Sequence, residues 1–169
     1  MAALARAARA DDAAEIARIW NEGIEDRVAT FETEPRTTER ILSWMRSKEP
    51  RFPTIVGADG DRVIAWAAAT EYSPRECYAG VGEFSVYVER ASRGRGAGRI
   101  AMEALIEASE HAGLWKLVSR VFPENVASLA LLGSLGFREV GTYRRHARLD
   151  GAWHDVVIVE KLLSDPPER

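Results

Sequence analysis

Cysteine occurs once in the chain, at Cys77, so no internal disulfide can form, and the sequence fits a reducing compartment such as the cytoplasm. Long apolar runs are missing. The longest, Val63 to Ala69, is far short of the roughly 20 residues that span a bilayer. Neither sign of charge dominates: 23 Lys and Arg stand against 26 Asp and Glu, a net charge of −3. That balance argues against a generally basic nucleic-acid binder and a polybasic membrane-surface protein. Histidine is scarce, and His111, His146 and His154 show no metal-ligand spacing, so no metal is expected. Met1 to Ala10 is rich in Ala and Arg but lacks an apolar signal core, and it reads as mature protein. There are no repeats, linkers or low-complexity segments.

What is present is an ordinary globular composition, 46% hydrophobic and 29% charged over 169 residues, enough for one domain with a real core. We take that domain as residues 1–163, with 164–169 as a flexible tail. A first strand is expected over about Leu4 to Ala8. Asp12 with Glu15 resembles a capping box, and Ala13, Ile16, Ala17, Trp20 and Ile24 then mark one face of a helix. A second helix follows Thr37 or Thr38 and ends before Pro50 and Pro53. Thr54 to Gly57 and Arg62 to Thr70 flank Asp59-Gly60, a hairpin signal because this dipeptide tolerates positive φ. Val81 to Glu89 reads as a strand, and Arg99 to Ala112 as a helix with Ala101, Ala104, Leu105, Ala108 and Ala112 inward. Trp115 to Phe122 is a further strand, Asn125 to Leu135 a short helix, and Arg138 to Leu149 with Trp153 to Leu163 a closing hairpin about Asp150-Gly151. The fold class is α+β, a mixed sheet with helices.

Between strand and helix lies Arg93-Gly94-Arg95-Gly96-Ala97-Gly98-Arg99. Small residues there let backbone N–H groups approach a ligand, the helix N-terminus carries partial positive charge, and arginines bind phosphate bidentately. A pyrophosphate grip is the chemistry this arrangement suits; a solvated Arg/Gly turn is the bland alternative. The Gly-Lys-Ser/Thr ending of a P-loop is absent, and the mid-chain position does not match a dinucleotide fold. In the preceding strand Phe84, Val86 and Val88 share one face, and Glu83, Ser85 and Tyr87 the other. Glu83 is therefore a candidate general base, or else a strand carboxylate in water. Asn125 and Ser128 open the next helix, as caps or as ligand-binding groups.

Together these residues resemble the GNAT superfamily of acetyl-CoA-dependent N-acetyltransferases. Arg93 to Gly98 is similar to its Arg/Gln-x-x-Gly-x-Gly/Ala pyrophosphate signature, and Asn125-x-x-Ser128 with Leu135-Gly136-Phe137 to the motif that follows. Over nearly the whole chain the sequence resembles the acetyltransferases of phosphinothricin, methionine sulfoximine and arsinothricin. The carrying segments are Trp20-Asn21, Phe31-Glu32-Thr33-Glu34-Pro35, Glu83 to Val88, and Gly151 to Val156.

The resemblance implies a single domain with a mostly antiparallel twisted sheet of about seven strands and about four helices, and direct acetyl transfer from acetyl-CoA to a small-molecule amine. It implies that Val86, Tyr87 and Val88 bind the pantetheine arm through their backbone, that Gly94 to Arg99 cradle the pyrophosphate with Arg93, and that Asn125 reaches the pantetheine. Glu83 falls on the catalytic carboxylate; Arg75 and Tyr78 fall near the anion-binding positions for the acceptor, and Phe31 closes its site. Relatives are commonly homodimers, and Trp153 and His154 are candidates for that interface. Two positions depart from the pattern: Ser73 stands where a lysine is usual, and Leu132 where His or Tyr meets the leaving thiolate. Tyr143 is a candidate for that role or a packed strand aromatic. The competing functions are acetyl transfer to a peptide N-terminus, lysine or polyamine, and a non-catalytic acetyl-CoA-binding module. Cys77 has no adjacent histidine to activate it as a nucleophile.

Overall fold

A computed structural model describes residues 3–164. Seven strands form one sheet in the order β1-β2-β3-β4-β5-β7-β6. They are β1 Leu4–Ala7, β2 Thr54–Asp59, β3 Arg62–Glu71, β4 Val81–Val88, β5 Lys116–Val121, β6 Arg138–Leu149 and β7 Ala152–Leu162. The helices are α1 Ala13–Asp26, α2 Thr38–Ser47, α3 Ala97–His111 and α4 Val126–Ser134. Among the described residues only β4 and β5 pair in parallel, and every other ladder is antiparallel. All of the expected tail but Ser164 lies outside the described residues.

The apolar run of β3 is explained by its central position, covered on both faces. Ala65, Ala67 and Ala69 meet α3 through Met102 and Leu105, while Trp66 and Ala68 meet α1 and α2 through Ile16, Trp20 and Ile41. In β4 the same alternation sends Phe84, Val86 and Val88 to the α3 side and Tyr87 to the α1 side, where it stacks on Trp66 at 4.9 Å. Gly23 makes that stack possible, since a Cβ there would sit 2.5 Å from the Tyr87 ring. Thr37 caps α2 by accepting from the Arg40 amide, and Asn125 caps α4 by accepting from the Ser128 amide. Asp59-Gly60 and Asp150-Gly151 turn their hairpins, with Gly60, Asp150 and Gly151 at positive φ.

Two expectations are corrected. Asp12 makes no capping bond to α1. Its buried carboxylate instead takes both Arg6 nitrogens, at 2.7 and 2.8 Å, and the Arg9 amide, so it ties β1 to the helix entrance. The third helix begins at Ala97 rather than Arg99, because Gly96, at φ 85°, ends the loop in the left-handed region and Ala97 and Gly98 already form the first turn. Its inward stripe moves accordingly to Ala101, Met102, Leu105 and Ser109, leaving Ala104, Ala108 and Ala112 only partly buried.

Candidate active site

β4 and β5 pair at three positions only, Val81 with Lys116, Gly82 with Leu117 and Glu83 with Val118. Beyond Glu83 they separate: β4 continues against β3, and β5 against β7. The edge of β4 from Ser85 to Val88 thus lacks a ladder partner on its β5 side. At the apex the Ser119 hydroxyl donates to the Phe84 carbonyl at 2.8 Å, satisfying a group that a continuing strand would have bonded.

The split opens into a cleft of about 530 Å³. One wall is the backbone of Val86, Tyr87 and Val88, and the other is α4 through Asn125, Ser128 and Leu131. Arg93, Gly94, Gly96, Ala97, Gly98 and Arg99 form the end. Cβ atoms added at Gly94 (φ 74°) or Gly96 would meet nothing within 4 Å, so the loop's main chain faces open space. The unpaired amides of the first turn of α3 stand beside it, a natural anion site. Arg95 is exposed and does not line the cleft.

The loop's arginines are not equally free. Arg90 donates to Glu25 and Asp26 at the end of α1, and its amide donates to Glu22 at 2.6 Å. Arg93 pairs with Asp26 at 2.7 Å and donates to the Val88 carbonyl. Arg99 bridges Glu103 on α3 and Ser134 on α4. Among the described residues Arg95 alone of these four has no such partner. Burial pushes the Asp26 carboxyl up, but the Arg90 and Arg93 hydrogen bonds prevail and hold it below the usual range. The base of the loop is fixed by Glu89, only 2% exposed, which meets Arg18 on α1, Arg62 on β3 and the Ser92 hydroxyl. Burial pushes the Tyr87 phenol up to about 12.

Glu83 sits at the apex, partly buried, and its carboxylate accepts from the Arg120 guanidinium at 3.0 Å. Period-two alternation from the Glu83–Val118 pair puts Glu83, Arg120 and Phe122 on the α1 side of the sheet. Phe31 packs on Phe122 with centroids 4.6 Å apart, and His154 stacks on Phe122 at 5.2 Å. The segment carrying Phe31 is pinned by Asn21, whose amide exchanges two hydrogen bonds with the Arg36 backbone, and by Glu32, which accepts from the Trp20 indole. His154 is partly exposed, with its ring stacked on Phe122. Trp153 stays 59% exposed.

Arg75 and Tyr78 lie in the loop joining β3 to β4, at the Glu83 end of that hairpin, where Thr70 pairs with Glu83. Both are exposed, and the Arg75 guanidinium stands 5.9 Å from the Tyr78 ring centroid. Cys77, exposed in the same turn, lines no part of the cleft. Leu132 is buried at the floor of the split and carries no proton to give. Tyr143, on the outermost strand, is exposed beside His146 and lines neither the split nor the cleft. Sequence reading missed Arg120, Ser119, Asp26, Glu89 and Phe122. The two on β5 follow from alternation once its register against β4 is known; the two acids needed the packing of α1.

A sheet split beside a glycine loop at a helix N-terminus suits a ligand that carries both phosphates and an amide-bearing arm. Residues 14–137 match the Acetyltransferase (GNAT) family, and the chain belongs to it. It is an N-acetyltransferase. It is 29% identical over 157 residues to a phosphinothricin N-acetyltransferase of Streptomyces coelicolor, covering 90% of this chain and 92% of that one. An L-methionine sulfoximine/L-methionine sulfone acetyltransferase of Pseudomonas aeruginosa is 29% identical over 168 residues, 98% of this chain and 97% of its own. Among solved structures, a GNAT superfamily phosphinothricin acetyltransferase from Sinorhizobium meliloti in complex with AcCoA superposes with a TM-score of 0.91 at 26% identity, covering 98% of this chain and 91% of that chain. The seven-stranded mixed sheet with four helices agrees with the sequence expectation.

Proposed function

We propose that the protein moves the acetyl group of acetyl-CoA directly onto the amine of a small amino acid analogue, of the phosphinothricin, methionine sulfoximine or arsinothricin type, and so detoxifies it. The observation that carries this reading is the split of β4 from β5 beside the glycine loop, with Glu83 at its apex. The donor set suits the cosubstrate: main-chain amides and glycines facing open space for phosphates, and a free strand edge for an amide-bearing arm. Arg93, Gly94 and residues 96 to 99 would hold the phosphates, and Val86, Tyr87, Val88, Asn125 and Ser128 the arm. When bound, acetyl-CoA supplies an acetyl thioester.

An amine arrives protonated at neutral pH, and only the free base attacks a thioester. Glu83 takes that proton, directly or through one water. The backbone N–H groups of the free β4 edge near Val86 would stabilise the oxygen on which negative charge develops. Leu132 leaves the departing sulfur to take its proton from solvent. Cys77 plays no part, and transfer needs no covalent enzyme intermediate. Phe31 and Phe122 form an apolar wall for the acceptor, with Arg75 and Tyr78 at the loop end for its anionic head.

The single exposed thiol fits a cytoplasmic setting. The β6–β7 hairpin, an edge with exposed Val140, Tyr143 and Trp153, is the surface we assign to a homodimer. The test is a thiol-release assay with acetyl-CoA and a panel of phosphinothricin, methionine sulfoximine, arsinothricin, polyamines and peptides. Turnover confined to the amino acid analogues is expected. Turnover only with polyamines or peptides refutes the substrate class, and tight acetyl-CoA binding without any turnover refutes catalysis.

A further inference from the structure

The Glu83–Arg120 pair has a use beyond holding the base in place. Its two charges are 3.0 Å apart, project to the same side of the sheet, and are both reachable: the Glu83 side chain is 32% exposed and that of Arg120 48%. Val118 and Ile158 hold Arg120 on the sheet, Val118 as the β5 residue opposite Glu83 and Ile158 as the β7 residue opposite Arg120. Phe122, just past the end of β5, carries the Phe31 and His154 rings beyond it.

An α-amino acid is the inverse of this pair. Its ammonium and carboxylate hang on one carbon at about hydrogen-bond spacing, one to face Glu83 and the other Arg120. We propose that Arg120 binds the α-carboxylate of the acceptor, so that Glu83 and Arg120 together form a receptor for a free amino acid zwitterion. This rests on the acetyl-transfer reading above and narrows its substrate class. A half-exposed ion pair is held weakly, so an incoming carboxylate can take Arg120 from Glu83 at little cost. The same exchange frees the Glu83 carboxylate to accept the ammonium proton; no bond to Arg120 changes beyond the hydrogen bond. An amine with no neighbouring carboxylate, as in a polyamine or a lysine side chain, leaves Arg120 bound to Glu83. The site then discriminates because Glu83, still tied to Arg120, is not freed to take the ammonium proton. Arg75 and Tyr78 remain available for the far end of the acceptor, where Ser73 replaces the usual lysine.

The experiment measures binding of L-methionine sulfoximine and of its α-carboxamide to the CoA-loaded protein by titration calorimetry, for wild type, Arg120→Met and Arg120→Gln. Wild type should prefer the acid by about tenfold or more, and both variants should lose that preference. Acetyl-CoA affinity, read alongside, reports that each variant is folded. A wild type that binds acid and amide alike, or a folded variant that keeps the preference, overturns the assignment. Thiol release is followed separately. Selective binding without turnover in wild type would strike the acetyl-transfer reading and leave the carboxylate contact standing.

Discussion

Glu83→Gln is the substitution that isolates proton transfer. Glutamine keeps the shape and one acceptor oxygen of Glu83 but has neither its charge nor its affinity for a proton. Little stability should be lost, because the pair with Arg120 is half-exposed and such pairs are worth at most about 1 kcal/mol. The Thr70 hydroxyl bonds the Glu83 carbonyl rather than its side chain, so that contact survives. Acetyl-CoA affinity should also hold, since Glu83 does not line the large cleft. The chemical step is different. General-base catalysis is typically worth 10²–10⁴-fold, or about 2.7–5.4 kcal/mol of barrier. The assay is kcat/KM by thiol release at neutral pH, with acetyl-CoA binding measured separately. Above the amine's own pKa the acceptor is already a free base, and the gap between variant and wild type should close. A kcat/KM within about threefold of wild type at neutral pH would refute the general-base role.

Two further outcomes test the frame around the site. Gly96→Ala puts a side chain at φ 85°, where no neighbour blocks it but the left-handed conformation costs about 1–2 kcal/mol; denaturant unfolding should show that loss and titration a weaker grip on acetyl-CoA, and an unchanged affinity would remove the loop from the phosphate site. Asp12→Asn should cost about 1.5–3 kcal/mol at pH 7, as a buried carboxylate gives up charged hydrogen bonds to Arg6. The Arg6 hydrogen bonds hold the Asp12 carboxyl below its ordinary value. Its contribution is therefore full above the unfolded pKa of about 3.9 and lost as pH falls through the lower folded value. The variant should lack that acid-side loss in unfolding curves taken between pH 7 and pH 3; an identical pH slope would contradict the assignment.

Local signals in the sequence placed the elements well, because turns, caps and period-two strands are decided by neighbours along the chain. Asp59-Gly60, Thr37, Asn125 and the alternation of Phe84, Val86 and Val88 all act within a few residues. The cleft was legible for the same reason: a glycine loop between strand and helix is one contiguous segment. What stayed hidden depends on register and packing. Arg120 reaches Glu83 across a parallel ladder 37 residues away. The arginine cluster looked like a free phosphate trap, yet the end of α1 brings Glu22, Glu25 and Asp26 against it, and a charge count along the chain cannot show which arginines are already taken. Asp12 carries every mark of a helix cap, but its proximity to Arg6 on β1 offered a stronger partner than a backbone amide.

The split between β4 and β5 divides the labour of recognition between two alphabets. On the side we propose for the cosubstrate the protein offers mostly main chain: a bare strand edge, glycine amides and a helix terminus, groups that every residue type carries alike. On the side we propose for the acceptor it offers side chains: Arg120, Phe31, Phe122, Arg75 and Tyr78. Point mutation rewrites the second alphabet freely and hardly touches the first. A lineage built on this sheet can therefore change which amine it modifies, one residue at a time, while the donor it draws on stays the same.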